Sequence, residues 1–117
     1  MAYTEYVELI ETPTFTRQIE VLLSDDDYAR FQLQLADRPE SGALIKGGGG
    51  IRKIRIPASS RGKRGGARVI YYWAVRRNVI LMLFAYAKNV SADLTPKQIG
   101  VLAKVVREEF GNESQNV

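Results

Sequence analysis

The run Val79 to Ala87, VILMLFAYA, constrains the fold more than any other stretch of the chain. Successive side chains of a strand point to opposite faces, and here both faces are apolar, so the run predicts a central, covered strand. It is too short to cross a bilayer. Further strands are expected at Ile51 to Ile56 and Ala67 to Val75, the second with a Val, Ile, Tyr and Trp content that suits a pleated sheet. Arg76, Arg77 and Asn78 predict a tight hairpin connection into the apolar run.

The remaining elements follow from periodicity and capping. Thr4 to Ile10 reads as a first strand. After Pro13, Phe15, Ile19, Leu22 and Leu23 share one helical face. Ser24 restarts the pattern as a cap, with Asp25, Asp26 and Asp27 in the first turn, where the helix dipole favours negative charge. Tyr28, Phe31 and Leu35 form the buried stripe of this second helix, and Pro39 with Gly42 stops it. Near the C-terminus, Thr95, Pro96 and Gln98 make a capping box ahead of a helix whose stripe is Ile99, Leu102, Val106 and Phe110, ended by Gly111. The class is α+β, ordered strand, helix, helix, three meandering strands, helix. One domain spans residues 1–111, and 112–117 form a loose polar tail. Helices covering one face of the sheet would leave its other face, or its rim, for charged groups.

Those charges are concentrated. Residues 1–40 carry 9 acids and 3 bases, residues 41–92 carry 11 bases and no acid, and residues 93–117 return to a net of −1. A block of one sign repels itself, and a polyanion relieves that repulsion, which points to nucleic acid. The alternative is a disordered basic loop without a role. Lys46 to Arg68 alone holds eight bases and two glycine clusters. In its strand, Lys53 and Arg55 share one face while Ile54 and Ile56 share the other. Gly47 to Gly50 does not fit a nucleotide-binding P-loop, which requires lysine and a hydroxyl residue opening a helix, and it reads as a flexible connector. Arg61, Lys63 and Arg64, on glycine-softened backbone, could follow the phosphates of a single strand, and Lys46 and Arg52 add to that RNA-binding or ribosome-binding set. Tyr72 falls on the face of Arg68 by alternation and is a candidate base-stacking platform, whereas Tyr71 and Trp73 read as core.

Composition removes several chemistries. There is no cysteine and no histidine, so disulfides, thiolate catalysis, histidine-based dyads and a zinc site are excluded. Paired carboxylates are absent from the basic block, which leaves a two-metal nuclease or glycosidase arrangement without ligands. No secretory leader is visible, and a cytoplasmic protein without membrane association, metal or small-molecule cofactor is expected.

The run GGxRKIR, then GKRGGxRVIYY, then an apolar strand ending in YAKN, then SADLTPKQ opening a terminal helix, resembles the HigB-like branch of the RelE/ParE toxin superfamily. The likeness extends from the first strand through Phe110. It implies a small RelE-like fold with an antiparallel-rich twisted sheet, an N-terminal helical hairpin and a C-terminal helix. It further implies a toxin of a type II toxin–antitoxin pair, an mRNA interferase that enters the ribosomal A site, cleaves mRNA there and so inhibits translation, held silent by a HigA-like antitoxin. By the same likeness the catalytic set is Lys53, Arg55, Arg68, Lys88 and Asn89. Where the RelE branch carries a tyrosine near its terminal segment, this chain has Thr95, already engaged as a cap.

Such a site would be a metal-independent endoribonuclease. The 2′-hydroxyl of the RNA attacks the adjacent phosphate, so the protein supplies alignment and charge. Arg55 and Arg68 suit the phosphate, since guanidinium stays charged and grips it bidentately. Lys53 is the candidate base, on the ground that neighbouring cations favour a neutral amine. Two rivals share the sequence features: a ParE-like inhibitor of DNA gyrase, and a non-catalytic RNA-binding or ribosome-binding module.

Overall fold

The computed structural model describes residues 6–57, 66–88 and 93–111. A five-stranded mixed sheet runs in the order β1-β5-β4-β3-β2. Its strands are β1 (Glu8–Glu11), β2 (Ala43–Leu44), β3 (Ile51–Ile56), β4 (Ala67–Ala74) and β5 (Val79–Ala87), and its helices α1 (Pro13–Leu22), α2 (Asp25–Asp37) and α3 (Pro96–Phe110). The strands β2 to β5 pair antiparallel, while β1 lies parallel to β5, with Glu8 opposite Val79 and Glu11 opposite Met82. No described helix is long and apolar enough to cross a membrane.

The doubly apolar β5 is where its composition requires it, with a strand on each side and helices over both faces. Phe15, Ile19 and Leu23 with Phe31 and Leu35 pack on Val69, Tyr71, Ile80 and Met82. On the opposite face Leu102, Val106 and Phe110 of α3 cover Ile51, Ile70, Tyr72 and Leu81. Of the two places expected for charged groups, a helix-free face is absent among the described residues and the rim of the sheet is left. Stripes on α3 and on the helical hairpin each need an apolar sheet face, and β4 and β5 offer two.

Caps fix the helix ends. Ser24 accepts from the Asp27 backbone N–H, and the Thr95–Gln98 capping box is formed in both directions; each such cap contributes about 1 kcal/mol. Thr12, which sequence reading passed over, caps α1 by accepting from Phe15 N and also donates to the Leu83 carbonyl at 3.1 Å.

Two local findings bear on the site. The Gly47–Gly50 segment forms a turn leading into β3. Gly47, Gly49 and Gly50 have positive φ, and a Cβ on Gly50 would stand 2.9 Å from the Tyr72 ring. Second, the pairing of β4 with β5 slips between Ile70, opposite Phe84, and Tyr71, opposite Met82, leaving Leu83 as the extra residue of a β-bulge. A bulge reverses alternation beyond it. Phe84 and Tyr86 thus join the α3 face, while Ile80 and Met82 face α1. At the bulge, β5 has outrun β1, and Thr12 and Gln18 take over the edge; Gln18 Oε1 accepts from Ala85 N at 2.8 Å.

Candidate functional site

Pairing register assembles the site. Arg55 lies opposite Arg68, and Arg68 opposite Tyr86, so these three form a row across β3, β4 and β5 on the α3 face. Residues directly opposed in this way have Cβ atoms about 4.5–5.5 Å apart. Lys53 is one step along β3 on the same face, opposite Ile70. The row lies along the same face beyond Ile51, Tyr72 and Leu81, which are buried beneath the helix.

Lys53 has a partner that the charge pattern concealed. Its Nζ donates to Oδ1 of Asp93 in an ion pair, with the Asp93 side chain 70% exposed. That hydrogen bond, followed by the Lys53 charge and a smaller contribution from Arg68, holds the Asp93 carboxyl below its usual range. Lys53 therefore lacks the cation-only surroundings on which its reading as a base rested. Asp93 is the first acid after the block of 52 residues, 41–92, that contains none. That position was the available sign of its pairing with the basic block.

Tyr86 was also missed, because neither face of β5 differs in polarity and a bulge leaves no mark on such a strand. Its hydroxyl and the Nε of Arg68 are both shielded from solvent and without a hydrogen-bond partner among the described residues. Leaving such a group unsatisfied costs about 1–3 kcal/mol. Burial pushes the Tyr86 phenol up, against the charges of Lys53 and Arg68, with Asp93 acting in the same direction as burial. The phenol is a neutral hydrogen-bond donor at neutral pH.

Beside this row a cavity of about 350 Å³ opens between β2 and the start of α3; Lys46, Lys53 and Asp93 line it together with Leu44, Ile45 and Ile99. Lys46 is exposed there, and Lys88 is exposed one residue past the end of β5, tied by its N–H to the Gly66 carbonyl at 3.3 Å. One expected contact is corrected, and one residue of the expected set lies apart from the row. Tyr72 is fully buried against the ring of Phe110, centroids 5.3 Å apart, and has no surface to offer a base. Alternation put it correctly on the Arg68 face, but α3 covers that part. Arg52 points to the opposite face, where its Nη1 donates to the carbonyls of Glu40 and Gly42 and so clasps the turn after α2. Asn89, Arg61, Lys63 and Arg64 lie outside the described residues.

In sum the described residues gather groups able to bind an anion beside one carboxylate: two guanidinium groups, an ammonium, a phenol donor and Asp93. Comparison with known proteins agrees with the fold that carries it. The chain superposes on RelE of the E. coli RelBE toxin–antitoxin complex with a TM-score of 0.51 at 16% identity, over 71% of this chain and 96% of that one. A double mutant of E. coli RelE in the free state gives 0.52 at 14% identity, over 87% and 98%. The family profile described as the RelE toxin of the RelE/RelB toxin–antitoxin system matches residues 23–116. This chain belongs to the RelE toxin family of toxin–antitoxin systems.

Proposed function

We propose that the protein is a HigB-like, ribosome-dependent mRNA endoribonuclease that needs no metal, acts in the cytoplasm on mRNA in the ribosomal A site, and is silenced by a HigA-like antitoxin. The observation that carries this reading is the row Arg55–Arg68 with Lys53 beside it on one face. Two arginines held directly opposite each other repel, and an RNA phosphate between them turns that repulsion into two charge-assisted contacts.

The chemistry is a transesterification. The bond from phosphorus to O2′ forms as the bond to O5′ breaks, giving a cyclic phosphate and a free 5′-hydroxyl. Arg55 and Arg68 hold the phosphate and steady its added negative charge. The Lys53–Asp93 pair manages the protons: Asp93 exchanges Lys53 for the 2′-hydroxyl and accepts its proton, and Lys53 gives one to the leaving O5′. Once Lys53 turns to the substrate, the contact that holds the Asp93 carboxyl down is gone, and the carboxylate becomes a better base. A lone pair of this kind depends on RNA presented in a reactive pose, which is a reason for the ribosome to take part. Lys46 and Lys88, with Arg61, Lys63, Arg64 and Asn89, supply further contacts to RNA.

Brief induction in a bacterial host followed by mapping of transcript 5′ ends tests the reading. New ends within translated codons, lost in Arg68→Ala, support it. Intact transcripts with DNA-damage signalling would instead indicate a gyrase inhibitor, and salt-sensitive RNA binding without new ends a binding module.

A further inference from the structure

We infer that Tyr86 is a further catalytic residue whose hydroxyl, together with Nε of Arg68, donates hydrogen bonds to a non-bridging oxygen of the scissile phosphate. The inference rests on the endoribonuclease reading above. Tyr86 and Arg68 are cross-strand neighbours on β5 and β4, and the bulge at Leu83 is what turns Tyr86 toward Arg68 instead of toward α1. Two donors on neighbouring strands, both without an acceptor among the described residues, can be met by one accepting oxygen, and a phosphate oxygen adds the negative charge that suits the Arg68 guanidinium.

An anion already acts on both through its charge. The charge of Asp93 acts on Tyr86 and on Arg68, yet its carboxylate is engaged by Lys53 and leaves the two donors unmet. Both atoms are shielded from solvent in this structure, so a phosphate provides the missing acceptor only as the groups around them shift, Asp93 turning to the 2′-hydroxyl among them. Burial keeps the phenol protonated, so Tyr86 contributes a neutral donor and transfers no proton. Its contribution grows as the phosphate gains charge, because a fixed donor needs no reorganisation at that moment.

Tyr86→Phe removes the oxygen and keeps the ring that packs beside Phe84. The test compares wild type and Tyr86→Phe in single-turnover cleavage of a defined mRNA on programmed ribosomes, with complex affinity and thermal stability measured on the same preparations. The expected result is a rate about 10²-fold lower, unchanged affinity, and a melting temperature equal to or above wild type. Cleavage at the wild-type rate would overturn the role of Tyr86 and leave the endoribonuclease reading standing. A variant that melts lower, with affinity falling alongside rate, would make the hydroxyl a packing group and overturn it as well. Wild type that fails to cut the message at all would remove both.

Discussion

Arg55 and Arg68 face each other directly across β3 and β4, two like charges on adjacent strands with no acid between them in register. Like charges directly opposed destabilise a sheet by about 0.2–1 kcal/mol. Arg55→Gln should therefore raise stability by up to about 1 kcal/mol in denaturant unfolding while weakening growth inhibition. A variant that is less stable than wild type would show that the pair is relieved by contacts within the fold.

Asp93 holds Lys53 from an exposed position and is assigned the proton from the 2′-hydroxyl. Asp93→Asn keeps the shape but removes the charge and the basicity. It should bind single-stranded RNA more tightly at low salt, because one repulsive charge has left the patch, and cleave about 10²–10⁴-fold more slowly. Filter binding across a salt series, with cleavage measured beside it, separates the two effects. Unimpaired cleavage would remove Asp93 from the mechanism.

The turn before β3 has no room for a side chain at Gly50, where φ is +104° and the Tyr72 ring is 2.9 Å from the site of a Cβ. Gly50→Ala should cost more than about 1 kcal/mol, since it combines a left-handed backbone with a clash against a buried ring. Gly47→Ala has a positive φ but open space around it, and should cost less. Urea unfolding of the two variants tests this ordering.

Phe110 ends α3 by packing on Tyr72, with the Arg77 guanidinium 5.5 Å from its ring centroid. Phe110→Ala should destabilise the protein by about 3–5 kcal/mol and loosen α3 first. Faster hydrogen exchange in residues 96–110 than in β4 and β5 would be the signature.

Alkaline pH should loosen the helical hairpin. The Tyr28 hydroxyl donates to Glu11 Oε2 at 2.5 Å, and burial, then the Glu11 contact, raise its pKa well above the ordinary phenol value. A raised folded-state pKa means that this stability is fully present below about pH 10, the unfolded value, and is lost as pH climbs beyond it. Tyr28→Phe should be less stable at neutral pH and show a shallower decline above pH 10, as read by circular dichroism.

Local pattern settled much of this protein. The caps at Ser24 and Thr95, the stripes of α2 and α3, the extent of β3 and the burial of β5 follow from spacing and side-chain chemistry over short windows. The shared face of Lys53 and Arg55 follows from alternation alone. Other features depended on contacts between distant segments. The parallel pairing of β1, the short strand β2 and the second helical layer over the sheet require partners far away in sequence. That layer buries Tyr72, while the pairing register aligns Arg55 with Arg68. The bulge at Leu83 is the sharpest case: one unpaired residue turns Tyr86 to the other face, and in a strand apolar on both sides no residue announces it. Sequence determined which side chains could bind an anion; the register of three strands and the approach of Asp93 decided which of them meet.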